Sequence, residues 1–126
     1  MSVEAGLRAR IEREVTEFDT AGALGSGDVP VLASPRLVAW AEAACVAALD
    51  DALKAGETTV GTEIRLAHLQ STPVGDEVTI SAVLEAVDGR QLTFAVEAGD
   101  SRAIIARGHL VRVLVDRDRF LQRVAG

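Results

Sequence analysis

A chain of 126 residues, 48% of them apolar, is the size of one domain with a core of its own, expected to span residues 1–126. Its net charge of −6 argues against a nucleic-acid or anionic-membrane partner, since both need a basic face, though a locally placed arginine still suits a small anion. The single cysteine, Cys45, allows no intrachain disulfide, no apolar run is long enough for a bilayer, and MSVEAGLRAR at the start lacks the apolar stretch of a signal peptide, so the expected compartment is the cytoplasm.

Residues 7 to 18 alternate for most of their length. Leu7, Ala9, Ile11 and Val15 fall on one side and Arg8, Arg10, Glu12 and Glu14 on the other. A two-residue period predicts a half-buried strand, with helix as the competing reading from the Glu and Arg content. Thr20 to Asp28, TAGALGSGD, reads as a flexible, Gly-rich loop covering a pocket. It is a poor phosphate cradle, because no Gly-Lys-Ser/Thr follows.

Pro35 to Lys54, PRLVAWAEAACVAALDDALK, reads as one long helix. Ser34 suits its cap, Pro35 the first helical position, and Gly56 follows its end. Between Leu37 and Leu49 the only charge is Glu42. A helix apolar on nearly every side is expected to be buried on nearly every side, with the Glu42 carboxylate sunk into it.

Four strands are predicted after it. Thr58 to Ser71 carries Val60, Ile64, Leu66 and Leu69, and Thr72-Pro-Val-Gly-Asp76 is a turn. Val78, Ile80, Ala82 and Leu84 alternate with polar residues, Asp88-Gly89 signals a tight hairpin, and Leu92, Phe94 and Val96 carry the next strand. After Gly99-Asp100 comes Ala103 to Val115, with Gly108 read as a bulge, and Asp116 to Val124 is a short charged end forming a helical turn. Strand, loop, buried helix and four antiparallel strands predict an α+β hot-dog fold, a long helix wrapped by a curled antiparallel sheet. An open flank of the helix predicts a second copy, as a homodimer or dimer of dimers.

Four polar residues stand out as carriers of chemistry: Ser34, Glu42, His68 and Arg112. Glu42 reads as a general base or nucleophile, against the plainer readings of a carboxylate satisfied by backbone donors or an arginine, or of a residue on a wet flank of the helix. His68 reads as a group that orients a carboxylate or water, against a structural hydrogen-bonder. Ser34 reads as a helix cap and also as a hydroxyl able to meet a substrate. If the chain is helical from Ser34, Glu42 lies about 12 Å further along the axis and the two do not touch. Arg112 is by default a solvated or paired charge, Cys45 a small core residue rather than the nucleophile it could also be, and His109 strand filler. Two separated histidines and one cysteine lack metal-ligand spacing, so no metal is expected.

Several stretches together resemble the fluoroacetyl-CoA thioesterase group of hot-dog proteins. They are Ala33-Ser-Pro-Arg-Leu-Val, Glu42-Ala-Ala-Cys45, Gly61 seven residues before His68, Ser71-Thr-Pro-Val-Gly75, Gly89-Arg-Gln-Leu-Thr-Phe94, Gly108-His-Leu-Val-Arg112 and Asp118-Arg-Phe120. The resemblance covers roughly residues 30 to 120. It implies hydrolysis of a small acyl thioester, with Ser34, Glu42 and His68 as the catalytic set. Gly61 would help hold the thioester carbonyl and Arg112 would lie near the site. No cofactor is implied beyond coenzyme A as part of the substrate. The family has threonine where this chain has Ser34, and an aromatic lid where this chain has TAGALGSGDVPV, so fluoroacetyl-CoA itself is not expected as the substrate. The other readings are a non-catalytic module binding acyl-CoA or another small ligand, and hydratase chemistry, which lacks its close Asp–His pairing here.

Overall fold

The computed structural model describes residues 2–126. In chain order the elements are β1 (Arg8–Glu14), a 3-10 turn (Glu17–Asp19), α1 (Ala21–Leu24), α2 (Ser34–Ala48), β2 (Glu57–His68), β3 (Glu77–Asp88), β4 (Gln91–Gly99), β5 (Ile104–Asp116) and α3 (Arg117–Ala125). The five strands form one antiparallel sheet in the order β1-β3-β4-β5-β2. The alternating runs set this up: Val78, Ile80, Ala82 and Leu84 of β3 and Leu92, Phe94, Val96 and Ala98 of β4 are all buried. The β3–β4 hairpin closes with Gly89 and Arg90 between the paired Asp88 and Gln91, and Gly89 takes the positive φ that the first position of a type II′ turn requires.

Helix α2 packs against β1, β2, β3 and β4, so it reaches both edges of the sheet. Five flat strands would be about 19 Å across, against about 10–12 Å for a helix with its side chains. Contact with both edges therefore requires the sheet to curl round the helix. The buried face of α2 is Leu37, Trp40, Ala41, Ala44, Cys45 and Ala48, a 3–4 spacing dominated by small residues. Leu37, Ile80, Leu84, Leu92, Phe94 and Leu110 are among the large, fully buried side chains, each contributing roughly 1.5–3 kcal/mol by leaving water.

The structure revises several expectations. Helix α2 stops at Ala48 rather than Lys54. Asp50 and Asp51 follow at the negative end of the helix dipole, where carboxylates are unfavourable, and the turn brings Leu49 and Ala52 back into the core. The helix is buried on one face only: Pro35, Ala39 and Val46 are exposed and Glu42 lies half-exposed on the same flank. Ala33, not Ser34, is the N-cap, and it makes no side-chain cap bond. The Gly-rich stretch contains one helical turn, α1, capped by the Thr20 hydroxyl. The first strand ends at Glu14 and is followed by the 3-10 turn, with Val15 buried in the core. The charged C-terminus forms nine residues of helix.

Gly108 is not a bulge. Its register partners Leu66 and Val96 follow without interruption. It is glycine because the chains come close: an added Cβ would sit 1.9 Å from the Arg65 carbonyl oxygen. Backbone cannot swing aside as a side chain can, so Gly108→Ala is expected to destabilise the fold by about 3 kcal/mol, read as a lower denaturant midpoint at unchanged slope.

Candidate active site

The polar residues singled out in the sequence gather into two pairs. At the start of α2, the Ser34 hydroxyl lies 2.7 Å from His68 Nδ1 at the end of β2. Ser34 is free to do this because Ala33 occupies the cap position, which turns the hydroxyl toward the strand instead of the helix amides. Two turns further along the same helix, Glu42 Oε2 accepts a hydrogen bond of 3.0 Å from Arg112 Nη1. Arg112 comes from β5 and is 7% exposed, whereas the Glu42 side chain is 34% exposed. Arg112 is further held by β2, its Nε donating to Thr59 Oγ1 at 2.9 Å and its Nη2 to the Thr59 carbonyl at 3.0 Å.

Gly61 belongs to the second pair. It is paired with Arg112 across the β2–β5 ladder, and an added Cβ would lie 2.6 Å from Glu42 Oε2 and 3.3 Å from Arg112 Nη1. The missing side chain thus leaves the space that the carboxylate fills. A bulge between Gly61 and Glu63 then changes the parity of β2. Side chains alternate faces along a strand, so residues 61 and 68 would otherwise point to opposite sides. The extra residue, Thr62, returns Leu66 and His68 to the helix-facing side that Thr59 and Gly61 occupy before it. Partners on β5 follow suit: Arg112 stands opposite Gly61, Leu110 opposite Ile64 and Ala106 opposite His68, all three buried.

The two pairs do not meet within one chain. Eight residues of helix separate Ser34 from Glu42, about 12 Å. Seven residues of strand separate Gly61 from His68, about 23 Å. A cavity of about 290 Å³ adjoins the Ser34–His68 pair, with Ala21, Ser26, Leu32 and Gln70 among its walls. One wall therefore comes from the segment around α1, which lies over the pair.

Burial lowers the pKa of His68 below the ordinary 6.5, with the Gln70 backbone opposing in part. The ring is therefore neutral at pH 7, and its Nε2 is buried with no hydrogen-bond partner among the described residues. Burial also raises the Cys45 thiol to about 12, with Glu42 adding to the rise and Arg112 opposing it. That keeps Cys45 protonated and inert, a core residue. His109, exposed, faces Glu85 at 3.1 Å and belongs to neither pair. Thr59 was not among the residues that the sequence singled out. Its only sequence signal is a polar residue at an inward position of a strand, too common a feature to point to a site.

The fluoroacetyl-CoA-specific thioesterase family model matches residues 15–118. The chain belongs to that family. A fluoroacetyl-CoA thioesterase from Streptantibioticus cattleyicolor is 36% identical over 94 residues, 75% of this chain and 68% of that protein. A threonine-to-serine variant of fluoroacetyl-CoA thioesterase, solved in complex with acetyl-CoA, is 31% identical and superposes with a TM-score of 0.92, covering 98% of this chain and 97% of the other. A hot-dog-like protein from Thermanaerovibrio acidaminovorans, at 24% identity, superposes with a TM-score of 0.87 over 95% of this chain and 89% of its own. The fold is the hot-dog fold expected from the order of elements, and the family is one of acyl-CoA thioester hydrolases.

Two predictions follow from the geometry. Gly61→Ala is expected to lower the melting temperature without unfolding the protein, because the Glu42 carboxylate that must move is the counter-ion of the buried Arg112. It should push Glu42 off Arg112 and cut any turnover at the site; a steady-state assay beside a thermal melt checks both. For His68, the unfolded chain binds a proton in a pH range where the folded chain does not. The associated stability is therefore complete above 6.5 and is lost as pH falls from 6.5 toward the lowered native pKa. An NMR titration should place the His68 midpoint below 6.5, and His68→Gln should flatten that part of the stability profile.

Proposed function

We propose that this chain hydrolyses the thioester of a small acyl-CoA, using Glu42, His68 and Ser34 as catalytic residues with Gly61 and Arg112 beside them. The observation that carries this reading is the 2.7 Å contact between a hydroxyl and a neutral imidazole at the mouth of a cavity, in a chain of thioesterase ancestry. A thioester carbonyl is weakly resonance-stabilised and open to attack. In this reading Glu42 takes a proton from a water as that water attacks the carbonyl carbon. The Ser34–His68 pair holds the carbonyl oxygen as negative charge develops on it. Collapse of the tetrahedral species breaks the C–S bond, the departing thiolate of coenzyme A takes back the proton that Glu42 received from the water, and the carboxylic acid remains with Glu42 again ionised. The reaction needs no cofactor, coenzyme A being part of the substrate.

The two pairs act together in a homodimer. β2 is a twelve-residue edge strand with most of its second half exposed, and an unpaired edge of that length is a template for another strand. Antiparallel pairing of two β2 edges about a two-fold axis between residues 64 and 65 would set Gly61 opposite the partner's His68. One protomer's Glu42–Arg112 pair would then lie beside the partner's Ser34–His68 pair, which closes the gap that separates them within one chain. Two-fold dimers are the commonest homo-oligomers.

The acyl group is small. The walls near Ser34 are Ala21, Ser26 and Leu32, and no aromatic residue occurs between Thr20 and Val31, so fluoroacetyl specificity is not carried over. The serine variant of the relative was solved with acetyl-CoA, which suits a chain whose own hydroxyl residue is Ser34. A cytoplasmic location belongs to the same reading: release of a free thiol suits a reducing compartment. The test is a panel of short, branched, aromatic and long acyl-CoAs with free-thiol release as the readout. Short acyl groups should be cleaved, and Glu42→Gln should lower kcat by at least about a hundredfold with the fold retained. Wild-type rates in that variant would remove Glu42 from the reaction. An acyl group found on Ser34 by mass spectrometry would replace water attack with a serine route. Tight binding of the whole panel with no thiol released would favour a non-catalytic binding module.

A further inference from the structure

The Glu42 carboxylate is asymmetric. Its Oε2 is bonded to Arg112 and wedged against the backbone at Gly61, whereas Oε1 makes no hydrogen bond among the described residues. What fixes Oε2 is the orientation of the guanidinium, and Thr59 fixes that. The Thr59 hydroxyl and carbonyl accept from Nε and Nη2, a two-point grip that leaves Nη1 aimed at Glu42. Both Thr59 and Arg112 are buried, so water is a poor substitute for either bond.

Resting on the thioesterase reading, we propose that Thr59 is a positioning residue of the reaction. It locks Arg112, Arg112 holds Oε2, and Oε1 is thereby presented as the oxygen that takes the proton. Thr59 touches no reacting atom; it acts through two side chains. Without its hydroxyl, Nε of Arg112 is left unsatisfied and the guanidinium turns to find another acceptor. Glu42 then loses its fixed pose while the acyl cavity, at the other end of β2, is untouched.

The test compares Thr59→Val, which keeps shape and removes the hydroxyl, with Thr59→Ser, which keeps the hydroxyl. Thr59→Val is expected to lower kcat about tenfold, the size of one lost hydrogen bond to a charged group, with KM nearly unchanged. Thr59→Ser should restore kcat to within about twofold. Added to Glu42→Gln, Thr59→Val should cost nothing further, because the two lie on one chain of action. A purely structural threonine would lower the melting temperature of Thr59→Val yet leave kcat of the folded protein at the wild-type value, and that result overturns the proposal. The Arg112 Nε–H signal in NMR gives a readout independent of turnover. It should be protected from exchange in wild type and Thr59→Ser and lose protection in Thr59→Val. Equal protection in all three overturns the grip itself. A wild-type protein that cleaves no thioester overturns the thioesterase reading, and the Nε–H signal then still decides whether Thr59 holds Arg112.

Discussion

The structure depends on one constraint: a single helix has to satisfy both edges of a five-stranded sheet. That is possible only if the sheet curls and the helix is thin where it meets it. Ala41, Ala44, Cys45 and Ala48 make it thin, while Leu37 and Trp40 fill the wider end. Because the sheet is open rather than a closed barrel, one flank of the helix stays uncovered, and that flank is where Glu42 emerges. The same geometry that builds the core therefore creates a place on the helix where a carboxylate can sit half in and half out of it.

The second constraint acts along β2. This strand supplies Thr59, Gly61 and His68, and only the bulge after Gly61 lets all three face the helix. A regular strand would have delivered either the glycine or the histidine, not both. Placing such an irregularity on an edge strand is inexpensive, since a lost ladder bond there faces no second neighbour within the chain.

Much of the fold was legible in the residues. The alternation in β3 and β4 and the Asp88-Gly89 turn were enough for the hairpin, and the Ala-rich run was enough for the central helix. The end of that helix was not legible, because apolar residues continue through Leu53 and only the tertiary turn shows that Leu49 and Ala52 reach the core from a non-helical chain. The bulge was also hidden: β2 has too few apolar residues to show a change of parity, and Gly108 looked the better candidate. Ser34, Glu42, His68 and Arg112 could each be named, Arg112 only with the help of family resemblance. Their pairing could not, since it depends on which residues of β2 and β5 stand opposite each other. Thr59 had no distinguishing mark at all.

The arginine gives the Glu42 carboxylate a structural role beside the one proposed for it in the reaction. A guanidinium as buried as that of Arg112 is costly unless its donors are met and its charge is opposed. Thr59 meets two of them without supplying charge, so Glu42 is needed for the balance. Removing the carboxylate outright would leave a buried cation unpaired and would unsettle the fold as well as the chemistry. Glutamine at the same position still offers an oxygen to Nη1 but no base at the other atom. Under the proposed reaction the two oxygens of one side chain divide the work, Oε2 holding the structure and Oε1 serving the substrate.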